Sequence, residues 1–494
     1  MNIGRHHILL TCPSIPVTQV KSGDLEISML GHAFSTERDE STADLLGRLC
    51  AATGGLKQAI PPVLDELAGR FLLLISTKHT LRVVPDAVNS FKVLIGVDAK
   101  GQTHLAPDPN LFTAIKGFPL RVDPAWAWTF RQNKFRQMTG FPVGATPHQN
   151  VKALPANHVL DIDGNGETTI WRSFPRRAKT AMGREDVAEL VWRGLAQAFR
   201  NAQRQGHELW FPITSGQDSR FIAAAAWRAW KDGKLLQPIH FYFIEKERTT
   251  QTAIVDRQHV EHLRKNGVQV DIFKAKSDSE MMALRRPEDG KRYLSFVAHL
   301  VFRYALNQGT AFPKHRLFAM ANTAETIKFM HDGPDPTSGQ GAAMGLGYPN
   351  HPLVKNHLQE WFDEAAPTAK RLGYAVHELL WWETVLTHFS GNMLHYGNAF
   401  VPMWCPLNFG AFYEWGLGLP LSDRDHHTSR FFREATAAWW PLMAEFPINP
   451  DRRTRTIIAL KRLRLYWLYR PLAMRGRWWK SGREQRGANP TLKK

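Results

Sequence analysis

The run Thr214-Ser215-Gly216-Gln217-Asp218-Ser219-Arg220 stands between a strand-like segment, Glu208 to Ile213, and an apolar helix-like segment, Phe221 to Trp230, that Gly233 closes. A strand that ends in a small polar loop and opens a helix leaves unpaired backbone N–H groups at the positive end of the helix dipole. That geometry binds phosphate. Two serine hydroxyls add donors, and the carboxylate of Asp218 can hold Mg²⁺ against the anion. The same residues also admit a plain turn with a helix N-cap. A nucleophilic serine is a third reading, but neither serine sits in a Gly-x-Ser-x-Gly elbow.

The surroundings of this loop set the fold class. Val187 to Phe199 has apolar positions at helical spacing, and strand, loop and helix follow over 208–232. A second strand is expected at Pro238 to Ile244, a helix from about Thr250 to Lys265, and a third strand at Val268 to Phe273. Strands alternating with helices predict a doubly wound parallel sheet, with the ligand at the carboxyl ends of the strands, where the 214–220 loop would lie. One more strand is expected at His315 to Met320 in a mostly helical remainder reaching about residue 450.

Residues 1–175 read differently. Gly69 to Ile75 and Thr80 to Val84 make a hairpin pattern, Asp86-Ala87-Val88-Asn89-Ser90 turns the chain before Phe91 to Gly96, and Ala153 to Asp163 pairs with Thr169 to Trp171 around Gly164-Asn165-Gly166. The polar stretch Ser173 to Thr180 predicts a boundary. Three units result: a β-rich unit at 1–175, a nucleotide-binding unit at 182–450, and a tail at 451–494.

The tail governs how the charge is understood. Of the net charge of +18, +12 falls in the last 44 residues, which hold 14 Lys and Arg against two acids. Its run Lys461 to Arg470 interleaves cations with Leu, Tyr and Trp, a composition suited to an anionic membrane surface. The alternative is a docked terminal helix with a basic end. The body is close to neutral for its size, so nucleic acid is not an expected partner. No apolar run approaches the ~20 residues of a membrane span, the first ten residues make a poor secretory signal, and Cys12, Cys50 and Cys405 show no paired spacing. These features predict a cytoplasmic protein, with peripheral contact at the inner face of the membrane through the tail.

The order Ser-Gly-x-Asp-Ser at 215–219 resembles the pyrophosphate loop of ATP pyrophosphatases, with Gln217 where the usual loop has a second glycine. With the order of domains, the chain resembles the asparagine synthetase family over about residues 20–450. Gly69-Arg70-Phe71, Asp86-Ala87 and Ser90 look like that family's amidotransferase-like domain, and Lys152 to Asn157 through Trp171 like its end. Met320-Ala321-Asn322-Thr323-Ala324-Glu325 falls where the family has a loop ending in a second Mg²⁺-binding acid. Pro402 to Arg433, with Pro406-Leu407, Arg430 and Arg433, looks like the substrate-side segment.

The resemblance implies an α/β protein in which a β-rich amidotransferase-like domain precedes an ATP pyrophosphatase domain with a helical C-terminal region. It implies ATP and Mg²⁺ as cofactors. Thr214, Ser215, Gly216, Gln217, Asp218 and Ser219 would hold the pyrophosphate, with Asp218, Ser215 and Ser219 acting in catalysis. Thr214, Ile244, Met320 and Ala321 would line the adenosine side, and Asp218 and Glu325 would bind the metal. Glu325 also reads as a helix N-terminal acid. Glutamine-using members carry a cysteine directly after the initiator methionine, whereas position 2 here is Asn2, and Cys12 reads as a core residue. A degenerate domain without glutaminase activity is therefore expected, as in β-lactam synthetases and lasso-peptide cyclases.

The expected function is an AMP-forming amide ligase that joins a small-molecule or peptide carboxylate to ammonia or another amine. The alternatives are a catalytically weakened nucleotide-binding scaffold and a macrolactam-forming peptide cyclase. Asp423-Arg424-Asp425-His426-His427 reads as a solvated loop rather than a metal site, and Leu379 to Glu383 as core or pocket wall.

Overall fold

The computed structural model describes residues 2–3, 7–8, 15–53, 61–132, 140–245, 251–274, 313–330, 334–397, 401–448, 456–460, 463 and 465. Cys12 and most of the basic tail lie outside the described residues.

The N-terminal part is antiparallel. Strands β1 (Val17–Ser22), β2 (Leu25–Ser35), β3 (Leu67–Ser76), β4 (Thr80–Pro85), β8 (His158–Asp163) and β9 (Thr168–Arg172) form one sheet in the order β9-β8-β4-β3-β2-β1. Strands β5 (Leu94–Val97), β6 (Thr103–Ala106) and β7 (Val151–Ala153) form a second, ordered β6-β5-β7. The long strand β2 is buried on both sides, because alternate residues serve two cores. Ile27, Met29 and Ala33 meet Leu45, Leu46 and Leu49 of helix α1 (Thr42–Thr53), while Leu30 joins Leu74, Val83, Phe91 and Ile95 between the two sheets.

Both expected hairpins are present, with Ile75 opposite Arg82 and Leu160 opposite Ile170. Gly69 has a structural reason: at φ +157° a Cβ there would come within 2.2 Å of the His32 carbonyl oxygen on the neighbouring strand. Asp86 closes the turn after β4 by accepting from the backbone of Phe71, Val88 and Ser90 and from the Ser90 hydroxyl. The Arg70 guanidinium lies over the Phe91 ring. These residues build the domain.

The second part is a parallel sheet. Strands β10 (Glu208–Pro212), β11 (His240–Glu245), β12 (Val270–Lys274), β13 (Arg316–Ala319) and β14 (Met403–Trp404) lie in the order β12-β11-β10-β13-β14. Helices α2 (Arg184–Arg204) and α3 (Gln217–Lys231) bury their apolar faces against it, with Phe199 of α2 edge-on to Phe211 of β10. Helix α4 (Gln251–Lys265) packs against β11 and β12. The order of the strands reverses between β10 and β13, so the loop after β10 opens at the topological switch point of a doubly wound sheet. The expected α/β architecture, a β-rich unit followed by a doubly wound parallel sheet with helices after it, is the observed one.

Glu383 ties the two parts together. It lies in a π-helical turn, Trp381–Leu386, and is fully buried. It accepts from the Arg172 guanidinium of β9 at 2.6 and 3.0 Å, from Asn157 at 2.9 Å and from the Trp361 indole at 2.7 Å. Burial works against its ionisation, but Arg172 and His158 outweigh that and hold its carboxyl below the ordinary range. The Leu379 to Glu383 run is therefore core, with a buried ion pair across the boundary between the two parts. Asn408 adds a second tie, donating to the Gly69 carbonyl at 2.7 Å and accepting from Ala87 N at 3.1 Å.

Candidate active site

The loop after β10 is held from behind. Ser215 N donates to Asp256 of α4, and Thr214 Oγ1 accepts from Gly216 N at 3.0 Å while bonding Ser219 Oγ. Ser219 Oγ also donates to the Gly216 carbonyl at 3.0 Å. Its hydroxyl thus belongs to the loop's own network, with no histidine base among those partners. Gly216 is the N-cap of α3 without a side-chain cap, so the first-turn N–H groups have no intrahelical acceptor.

Arg220 anchors this arrangement. It donates from Nε to the Thr214 carbonyl at 3.1 Å, and from its other nitrogens to the carbonyls of Met443, Phe446 and Pro447 at 3.2, 2.7 and 3.0 Å. Burial lowers its guanidinium pKa to about 10. The last residue of the motif therefore fastens the loop to the 443–447 segment.

A cavity of about 990 Å³ opens over the carboxyl ends of the strands. Thr214, Gly216, Gln217, Asp218, Ser219, Ile244, Met320, Ala321 and Glu325 all line it. Ser215 does not: it is fully buried, and its hydroxyl has no hydrogen-bond partner among the described residues. A direct phosphate contact by the Ser215 side chain is thus not part of this geometry. The Gln217 side-chain amide is engaged elsewhere, donating to the Ser429 carbonyl at 2.8 Å. The residue that replaces the second glycine braces the loop against Ser429, the N-cap of the helix Arg430–Trp439.

Two carboxylates and one ammonium meet in this cavity. Lys328 forms an ion pair with Asp218. Glu325 sits in a five-residue 3-10 turn, Asn322–Thr326, after β13. Its carboxyl is pushed up to about 7, first by burial and then by the charge of Asp218, against a smaller opposing pull from Lys328. Glu325 Oε2 is shielded and has no hydrogen-bond partner among the described residues. An orphaned carboxylate oxygen beside a second carboxylate suits a hard divalent cation, and Mg²⁺ takes one or two carboxylates plus substrate phosphates. Asp218 and Glu325 would hold it. Among the described residues no group of three or more His, Cys, Asp or Glu could hold a metal without such outside ligands.

The sequence pattern does not single out Lys328. An isolated lysine three residues past an acid carries no motif, and only the return of the 320–328 loop to α3 reveals its place. Arg424 fixes that return. Fully buried, it donates to the carbonyls of Ile327 at 2.9 Å and Leu419 at 3.1 Å and pairs with Glu378. The 423–427 segment is thus an internal brace and not the expected solvated loop: Asp423 pairs with Arg184, and His426 contacts the Phe329 carbonyl at 3.0 Å. Of the two arginines expected on the substrate side, Arg433 lines the cavity, whereas Arg430 is exposed and pairs with Glu434 at 2.6 Å.

The start of the tail also reaches the site. Ile457 is buried, and Ile458 lines the cavity beside Phe446, Pro447 and Ile448. Ile458 therefore belongs to the pocket wall, while Leu463 and Leu465 are exposed. No described helix is long and apolar enough to cross a membrane.

No protein-family model and no curated protein matches the chain. Among solved structures it is similar to the allosteric regulatory enzyme of purine biosynthesis at 12% identity, over 52% of this chain and 62% of that one, with a TM-score of 0.22. It is similar to NAD⁺ synthetase from Burkholderia pseudomallei at 15% identity, over 52% of this chain and 89% of that one, with a TM-score of 0.20. A glutamine phosphoribosylpyrophosphate amidotransferase from B. subtilis matches at 8% identity over 63% and 59% of the two chains, with a TM-score of 0.17. The chain thus spans less than two thirds of the first of these structures. At such scores the chemistry rests on the site itself.

Proposed function

We propose that this chain is an ATP-dependent, AMP-forming amide ligase of the asparagine synthetase type. The observation that carries the reading is the meeting of Asp218, Glu325 and Lys328 in one cavity at the N-terminus of α3, over the switch point of the sheet. A carboxylate oxygen of the acceptor attacks the α-phosphorus of ATP, an O–P bond forms, and the bond to the β-phosphate oxygen breaks with loss of pyrophosphate. The nitrogen of ammonia or another amine then attacks the acyl carbon. A C–N bond forms, the C–O bond to AMP breaks, and the amine gives up a proton.

The first-turn N–H groups of α3 and the hydroxyl network of Thr214 and Ser219 orient the leaving pyrophosphate. Lys328, which pairs with Asp218 at this end of the cavity, neutralises the charge that grows on that group. Mg²⁺ held by Asp218 and Glu325 would supply further charge neutralisation. Gln217 and Arg220 keep the loop rigid through contacts on its far side. In this reading the amine enters free, and release of glutamate from glutamine would contradict that part. ATP–pyrophosphate exchange in the presence of acceptor acids tests the whole. A nucleotide-binding scaffold would bind Mg·ATP without exchange.

A further inference from the structure

The two flanks of the cavity differ in chemistry. On the β11 side stand Ile244 and Glu445, the latter paired with His262 of α4 at 2.7 Å. On the opposite flank, beyond β13, the lining is Met320, Met393 of helix α5 (Ser390–Gly397), Val401 and Met403 of β14; Met330 also lines the cavity. Four of the chain's 13 methionines thus face one cavity. The polar residue among them, Asn322, directs its amide to the Met393 sulfur at 3.8 Å. The described residues that α5 and the approach to β14 contribute to the lining carry no charge. Asp218, Glu325 and Lys328 stand at the phosphate end, and the remaining acidic or basic lining groups besides Glu445 are His426, His427 and Arg433, from the 426–433 segment and not from this flank.

At about 990 Å³ the cavity lies at the top of the roughly 300–1,000 Å³ range of small-molecule sites. That leaves room for a second reactant beside a nucleotide seated between Thr214 and Ile244. Resting on the ligase reading above, we infer that the acceptor is a carboxylic acid with an apolar chain, which lies along Met393, Val401 and Met403 with its carboxylate toward the α-phosphorus. A second ionic group lying on this flank, such as the ammonium or second carboxylate of aspartate, would be stripped of water against thioethers, where the described lining residues Met393, Val401 and Met403 offer no charged partner. Unbranched, polarisable methionine side chains adapt to chains of differing shape.

The test is ATP–pyrophosphate exchange over a homologous series of straight-chain alkanoic acids from acetate to octanoate, with aspartate and a uronic acid as polar comparisons. Mg·ATP affinity is measured by calorimetry on the same samples. Exchange efficiency should rise about three- to fourfold per added methylene until the flank is full, and aspartate should fall at least tenfold below hexanoate. Met393→Glu should abolish the rise with chain length while leaving Mg·ATP affinity unchanged, and Met393→Gln, gentler on the fold, should blunt it through KM. Mg·ATP binding with exchange that is flat across the series, absent for it, or confined to the polar acids overturns the acceptor class and leaves nucleotide binding standing. Failure to bind Mg·ATP overturns the site reading and the acceptor class with it.

Discussion

Replacing Glu325 with glutamine should make the metal-free protein more stable, and more so as pH rises. The carboxyl lies at about 7 against an ordinary 4.5 because burial and Asp218 both disfavour its ionised form. The sign follows from proton linkage: between those two values the folded state holds the proton more tightly than the unfolded chain, so stability falls as pH rises. Below about 4.5 both states are protonated and nothing is lost. Above about 7 both are ionised, and the full penalty of roughly 3 kcal/mol stands. Glu325→Gln keeps the neutral shape and removes that penalty, giving about 1 kcal/mol at pH 5 and about 3 kcal/mol at pH 8. Urea unfolding of both proteins at the two pH values, without divalent cations, measures this through the shift in midpoint. Mg²⁺ should narrow the gap by stabilising only the wild type. A variant that gains equally at both pH values, or loses at pH 8, would refute the placement of Glu325 beside Asp218.

Lys328→Met should leave the fold intact and lower pyrophosphate exchange by about 10²–10³-fold, the scale for removing one preorganised charge-stabilising group, as read in kcat. Glu383→Gln should destabilise the protein by about 3 kcal/mol, because Arg172 stays buried without its bidentate partner; Glu364→Gln, at the exposed end of the same arginine, should cost under about 1 kcal/mol in the same urea titration. Since Glu383 is held below the ordinary range, its contribution is present above about pH 4.5 and fades as pH falls through its depressed value. Ending the chain before Thr456 should cost about 2 kcal/mol through loss of buried Ile457 and open the pocket wall at Ile458, whereas ending it after Leu465 should preserve turnover and weaken salt-sensitive binding to anionic vesicles.

The parallel sheet was legible because its strands and helices differ in period and because glycines mark the turns. The loop at 214–220 announced itself by its place between strand and helix. Its inner workings were hidden. Nothing in the chain order says that Gln217 would reach Ser429, or that Arg220 would collect carbonyls more than 220 residues away. The Asp423 to His427 segment misled for a related reason. Mixed charges usually mark a solvated loop, and only a buried acceptor set such as Ile327, Leu419 and Glu378 reverses that. Lys328 shows the limit most plainly. Its role comes from an ion pair across 110 residues, which no local pattern encodes.

The central claim is that ATP is cleaved at its α-phosphorus by the groups around Asp218. Nucleotide products formed from ATP with Mg²⁺, an apolar acid and ammonia, resolved by chromatography, test it most directly. The account predicts AMP and pyrophosphate in equal amounts, with Asp218→Ala silent though folded. ADP and phosphate as products, or an Asp218→Ala variant that turns over like the wild type, would contradict it.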